Sequence, residues 1–334
     1  MVDGSKEFSN IATNTFHILI KPLKDKNKLY GYAFALIATA LWSGNFIIAR
    51  DLSSSIPPVS IAFWRWTVAL IVITPFALKS MIKDWGIIKK HLPYLVITSI
   101  LGITIFNTLI YIAGRTTTAT NLSLIAISFP IFIFIFSRIF YKERISLNKV
   151  IGIIMVVLGV ILIITKGSIS VLLNLSFTIG DIWMLIASII FATYSILLKR
   201  KPKELSIWAF QISTFSLGLI FLFPFYFWEY STVPSIMFDT NSIISILYVG
   251  VFASLTAFVL WNNAILIIGP TKAGMIYYTL PLFSGFLAFV ILKENIGLTH
   301  LVSALLIISG ILIANIESRL NLFGRILHLG KGSD

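Results

Sequence analysis

Apolar residues fall in long unbroken runs along this chain. They show neither the alternation of a half-buried strand nor the narrow stripe of a surface helix. No Asp, Glu, Lys or Arg occurs in 29–49, 91–114, 116–137, 150–165, 182–198, 205–228, 240–271, 273–292 or 295–316. About 20 apolar residues let an α-helix cross the roughly 30 Å hydrocarbon layer. The stretch 57–78 has the same character, interrupted only by Arg65. The pattern predicts ten spans: 31–49, 57–78, 92–113, 117–138, 147–165, 179–198, 205–228, 242–267, 271–292 and 297–316. The linkers are short, so the expected fold is an all-α polytopic membrane protein without an inserted soluble domain.

Composition supports the same class. Of 334 residues, 57% are hydrophobic and only 12% charged. A soluble chain of this size cannot hide that much apolar surface, which excludes a soluble enzyme and a disordered chain. The net charge of +13 would suggest nucleic acid in a soluble protein. Here it reflects loop placement, because Lys and Arg divide 21 to 4 between alternate sides of the predicted spans. That asymmetry places both termini in the cytoplasm of a cell inner or plasma membrane protein, with no nucleic-acid partner expected. Cys is absent, so disulfides and thiol chemistry are excluded. The first 30 residues lack the apolar core of a signal peptide. Phe8, Ile11, Ala12, Thr15, Ile18 and Leu19 at the start, and Leu320, Phe323 and Leu327 in the tail, have helical spacing. These ends read either as interfacial helices or as frayed termini.

The chain also repeats itself. At an offset of 151 residues, Leu109, Ala113, Thr120, Pro130, Phe132, Lys142-Glu143, Ile145, Leu147 and Gly159 meet identical residues. At an offset of 149, Gly31 and Leu36-Ile37-Ala38 meet Gly180 and Leu185-Ile186-Ala187. Each copy holds five spans. An odd number forces the second copy to cross in the opposite sense, so the reading is two inverted five-helix repeats. The expected division is a cytoplasmic segment 1–30, repeats 31–166 and 178–317, and a cytoplasmic tail 318–334.

These residues, taken in order, resemble a known family. Trp42-Ser43-Gly44-Asn45-Phe46, Phe63-Trp64-Arg65-Trp66, and Pro130 with Lys142-Glu143-Arg144, Gly152 and Gly159 are similar to the EamA-type ten-helix members of the drug/metabolite transporter superfamily. Pro281, Lys293-Glu294 and Gly310 form the second copy, with Ser303 where Gly152 has its equivalent. The resemblance spans about 31–316. It implies a ten-helix bundle in two inverted halves that moves small metabolites, often outward, with amino acids, amphipathic cations and drugs among the family's substrates. It also implies that spans 5 and 10 are scaffold.

Polar groups inside a membrane are costly, which makes them site candidates. Thr104, Asn107, Thr108 and Tyr111 share one face of span 3. The expected substrate cavity is lined by Trp42, Asn45, Arg65, Asn107, Tyr111, Tyr194, Gln211, Asn262 and Tyr278, with Asn262 the repeat partner of Tyr111. The competing reading of such groups is interhelical hydrogen bonding. Trp64 and Trp66 are assigned to an outer aromatic belt. Pro130 and Pro281 are expected to kink spans 4 and 9. Arg65 is either a snorkelling interfacial residue or a cavity residue, with Asp51 and Asp181 the nearest candidate acids. Glu143 and Glu294 are read as helix-end electrostatics.

The expected function is secondary transport of small metabolites, amino acids or amphipathic compounds, in the export direction by alternating access. The alternative is a lipid-handling protein of scramblase or flippase type. An enzyme is not expected: His17, His91, His300 and His328 lie outside span cores, and no acid occupies one. No cofactor or metal is expected. Partners are a small-molecule substrate and membrane lipids, and the chain is a monomer or homodimer.

Overall fold

The computed structural model describes residues 26–45, 48, 52, 56–143, 146–174, 176–233, 239–292 and 297–315. All regular structure among them is helical. The long elements in order are α1 (Lys26–Trp42), α2 (Pro58–Lys83), α3 (Leu92–Thr116), α4 (Thr120–Tyr141) and α5 (Leu147–Ile164). The second half holds α6 (Ile179–Leu198), α7 (Ile207–Thr232), α8 (Thr240–Ile268), α9 (Pro270–Tyr277 continued by Leu280–Leu292) and α10 (Leu298–Asn315). Among the described residues, 8 helices are long and apolar enough to cross a membrane. The others are α1, at 17 residues, and the interrupted α9. The termini, Asp51, Arg144, and Lys293-Glu294 lie outside the described residues.

Helix starts follow from local chemistry. Thr118, Ser146, Ser206 and Asp239 each accept a backbone N–H from the first turn that follows. Such caps contribute about 1 kcal/mol each. Thr178 and Asp181 form a capping box at α6, the Thr178 N–H donating to Asp181 Oδ2 at 2.6 Å. Gly269, at φ 82°, turns α8 directly into Pro270 of α9, a conformation that favours glycine. Outward-facing Ile71, Phe76, Ile139, Phe227, Trp228 and Leu305 are exposed, as a lipid-facing surface requires.

The contacts map onto themselves when the halves are exchanged. α1 packs on α8 as α6 packs on α3; α1 meets α9 as α6 meets α4; α2 meets α8 as α7 meets α3. The pairs α2–α7 and α5–α10 are their own equivalents and so lie on the pseudo-twofold axis. α2 and α7 each have 26 residues, with a proline (Pro75, Pro224) at the same place. Their equivalent residues Trp66 and Phe215 touch across the axis, ring centroids 4.7 Å apart. Each half thus completes the other, in an all-α polytopic fold of two inverted repeats.

The two axial pairs are built differently. α5 and α10 meet backbone to backbone: a Cβ on Gly310 would stand 2.7 Å from the Gly152 carbonyl oxygen, and one on Gly159 3.0 Å from that of Ser303. Small residues permit this approach, and dispersion plus close fit hold it. α2 and α7 are instead tied by carboxylates at both ends. Glu229 on α7 accepts the backbone N–H groups of Val59 (3.2 Å) and Ser60 (2.7 Å) at the start of α2. Asp84, just past α2, accepts the Ser206 N–H (2.9 Å) at the start of α7. Each helix therefore satisfies unpaired donors at the other's N-terminus. The Ser206 hydrogen bonds hold the Asp84 carboxyl below the usual carboxylate range.

Irregular backbone also recurs in both halves. Ile100–Ile105 in α3 and Val249–Thr256 in α8 are π-helical. Asn107 Nδ2 reaches the Gly102 carbonyl (3.1 Å), and Ser254 Oγ that of Val249 (2.8 Å), each five residues back. α4 breaks at Ile127, three residues before Pro130, and α9 at Tyr278–Thr279, ahead of Pro281. A proline removes one backbone donor and crowds the preceding turn, so the break falls just ahead of each proline, which then sits in the first turn of the next helix. Span 9, expected as one helix over 271–292, is accordingly two.

Candidate functional site

All nine residues expected to line a cavity are buried. They lie inside the packed bundle, Trp42, Tyr111 and Tyr194 within its main apolar core and Tyr278 in a second, smaller one. Lys83, Lys142 and Lys199 mark one end of the bundle, the lysine-rich face, at the ends of α2, α4 and α6. Glu143 pairs there with Lys199 at 3.0 Å, in keeping with its expected helix-end role. A recess of about 410 Å³ opens nearby, bordered by Glu143, Lys149, Lys199, Thr271 and Lys272. None of the nine residues lines it.

Toward the lysine-rich face lies an amide cluster. The Tyr194 hydroxyl donates to Asn262 Oδ1 (3.1 Å), and Asn262 Nδ2 donates to Gln211 Oε1. Three helices of the second half, α6, α8 and α7, meet there. Gln211 Nε2 is buried without a partner. Trp261 beside it donates from Nε1 to Ser195 Oγ at 3.2 Å.

Toward the opposite face lies Arg65, two turns into α2 and about 10 Å along it at 1.5 Å per residue. It does not snorkel: it is 1% exposed. Its Nε donates to Ser254 Oγ (2.6 Å) on α8, and its Nη1 to the Tyr111 hydroxyl (2.8 Å) on α3. Its guanidinium carbon stands 5.5 Å from the Trp66 ring centre and 5.7 Å from that of Tyr111. Asp181 is not its partner. That carboxylate is engaged by Thr117, Asn121 and Thr178, locking the start of α4 to the start of α6. Asp51 lies outside the described residues. Among the described residues, no carboxylate pairs with Arg65.

An aromatic layer connects the two clusters. Trp42 touches Trp261 (5.3 Å), Phe191 (5.5 Å), Phe258 (5.7 Å) and Tyr277 (6.2 Å) and donates from Nε1 to the Ala253 carbonyl (2.8 Å). Phe258 continues to Trp66 at 5.0 Å. Trp66 is therefore a fully buried core residue, and its assignment to an outer belt is corrected. Its neighbour Trp64 is half-buried against Phe63 and Tyr226.

One further expectation is revised. Tyr278 belongs to a separate apolar cluster with Phe134, Val156 and Ile307, against the scaffold helices, and its hydroxyl has no partner. Tyr277 takes the place in the aromatic layer. Consecutive residues of a helix point about 100° apart, so Tyr277 and Tyr278 face different neighbours. Asn107 ties its own π-helical turn, and Asn45, although buried, leaves Oδ1 unpartnered. Ser254, Phe191 and Phe258 were missed because a lone Ser or Phe in an apolar run carries no signal of its own.

The EamA-like transporter family matches twice, over residues 29–165 and 178–316. An uncharacterized transporter of Archaeoglobus fulgidus is 26% identical over 278 residues, covering 81% of this chain and 92% of its own length. The uncharacterized transporter YyaM of Bacillus subtilis is 26% identical over 287 residues, covering 84% and 92%. A solved crystal structure superposes with a TM-score of 0.68 at 18% identity, covering 89% of this chain and 98% of the other, a likeness of fold. The exchangeable halves, the buried layer between them and these matches agree: this multi-pass membrane protein is no enzyme but a member of the EamA-like transporter family.

Proposed function

We propose that the protein is a secondary transporter that exports small metabolites across the inner or plasma membrane by alternating access, with both termini cytoplasmic. The observation that carries this reading is the exchange symmetry of the contacts around a buried polar and aromatic layer. Inverted repeats give a carrier two equivalent packings, and a site between the halves can then face either side in turn. The carboxylate ties between α2 and α7 fit the same reading, since one lies at each end of an axial pair that must part at one face at a time. The scaffold pair α5–α10, joined through backbone contact, would stay fixed.

The native chain has no Cys, so single-Cys variants report access directly. Cys at Tyr111 and at Asn262, both fully buried here, is expected to react with a membrane-impermeant maleimide in proteoliposomes. Cys at Leu158 or Ile308, on the outward faces of the scaffold helices, is expected to stay unlabelled in the bilayer. No labelling at either buried position would mean the layer never meets water, and alternating access would be wrong. Reporter fusions in the loop between α2 and α3 test the orientation, with a cytoplasmic signal expected.

A further inference from the structure

We infer that Arg65, with Tyr111 and Ser254, receives the carboxylate of a substrate that is an organic anion with an apolar or aromatic body. The inference rests on the transporter reading and names its substrate class. Its starting point is a buried cation that no carboxylate among the described residues neutralises. A guanidinium has five N–H donors. Here two are used, both on neutral hydroxyls, and two rings lie near its carbon. Hydroxyls and rings solvate a charge but do not cancel it, and buried charges are normally paired. The described carboxylates, Asp84, Glu143, Asp181, Glu204, Glu229 and Asp239, all stand near helix ends or in loops, away from this layer.

The fold itself does not need the cation. At the equivalent place on α7 stands Thr214, whose hydroxyl returns to its own helix at the Phe210 carbonyl (2.9 Å). The same helix pair is therefore packed on one side by Arg and on the other by a self-satisfied Thr. A charge retained in a membrane where the architecture accepts a neutral residue points to something it binds.

The neighbours define the rest of the ligand. Nη donors not used by Tyr111 and Ser254 form a fork suited to two carboxylate oxygens. The Tyr111 hydroxyl accepts from Arg65, which leaves its own proton to donate to the anion. From Arg65, the rings Trp66, Phe258, Trp42 and Trp261 follow in contact, a surface for an apolar or flat body. The ammonium of a zwitterion would find no acidic partner among the described residues of this layer. The π-helical turn carrying Ser254 supplies adaptable backbone on the opposite wall.

The test uses the full chain in lipid nanodiscs, with 3-phenylpropanoate, 3-phenylpropanamide, L-phenylalanine and inorganic phosphate as probes. Saturable quenching of tryptophan fluorescence reads binding near Trp66 and Trp42. The carboxylate is expected to bind at least tenfold tighter than the amide and the zwitterion, with no saturable response to phosphate. Arg65→Lys keeps the charge but not the fork and is expected to weaken binding at least tenfold. Tyr111→Phe, which retains the ring, is expected to weaken it several-fold and serves as a second variant should Arg65→Lys fail to fold. Equal binding of carboxylate and amide, saturable binding of phosphate alone, or wild-type affinity in Arg65→Lys would overturn the inference. Maleimide access at Asn262 separates the two readings: labelling without anion binding rejects this site and leaves the transporter standing.

Discussion

The two polar clusters occupy equivalent ends of the bundle and are not equivalent in chemistry. By the repeat offsets, Tyr194 and Asn262 on the lysine-rich side correspond to Asn45 and Tyr111 on the other. Tyrosine and asparagine have changed places between the halves. On the lysine-rich side the pair is joined, hydroxyl to amide, and linked onward to Gln211. On the other side the equivalent pair is not joined: Asn45 Oδ1 is unpartnered, and Tyr111 accepts from Arg65 instead. One cluster is a neutral latch between α6 and α8. The other is a buried cation whose hydrogen bonds go to two neutral hydroxyls. Similar packing around dissimilar chemistry shows that the helices set the geometry while single side chains set what each end does.

The sharpest way to break this comparison is to move the charge. Thr214→Arg places a guanidinium at the equivalent point of α7, where the native hydroxyl needs nothing beyond its own helix. A buried unpaired charge costs several kcal/mol, on the order of 3–5 by analogy with broken buried pairs. The variant is expected to fail to accumulate in membranes or to melt far below wild type. Normal yield and melting would show that the layer tolerates a cation anywhere and that Arg65 is not special.

Next in size is the carboxylate tie on the Arg65 side. Glu229→Ala leaves the Val59 and Ser60 N–H groups and the Ser60 hydroxyl without their acceptor. The expected loss is about 1.5–3 kcal/mol, the range for hydrogen bonds to a charged group. It should appear as a lower melting temperature and as faster maleimide labelling of Cys at Tyr111 than at Asn262. Equal acceleration at both would mean the tie does not act on one end.

Tyr194→Phe cuts the neutral latch. It removes one buried hydrogen bond and leaves Asn262 Oδ1 unsatisfied, at an expected cost of about 1–3 kcal/mol. Labelling at Asn262 should rise while labelling at Tyr111 stays near wild type, the mirror image of Glu229→Ala.

The smallest effect expected is a pH dependence at Asp84. Its carboxyl is held low by the Ser206 hydrogen bonds, so its contribution is present above the ordinary carboxylate pKa of about 4 and lost as pH falls through the lowered value. Asp84→Asn should flatten the acid limb of the melting profile slightly. An unchanged limb would show that the tie at the lysine-rich face does not contribute.

Much of the architecture was legible before any coordinates. Span positions follow from the cost of unpaired backbone and charge in hydrocarbon, which leaves the long charge-free runs as the helices that cross. The recurring prolines announced irregularity in α4 and α9, where the structure has breaks. Tyr278 was misplaced because two adjacent tyrosines point about 100° apart, and the sequence does not state which of them faces the layer. Trp66 was misplaced because an aromatic next to an arginine looks the same at an interface as in a core.

Hydropathy and repetition alone therefore determined the fold class, the spans and the existence of two halves, since these depend on lengths and residue types summed over twenty positions. Only the tertiary structure decided which polar residues meet. That Arg65 turns to Ser254 and Tyr111, that Asp181 serves a cap instead, and that Glu229 reaches across to α2 depend on contacts between helices far apart in the chain. Such pairings are set by helix rotation, and a rotation of about 100° per residue sends a neighbouring side chain to lipid instead of the core.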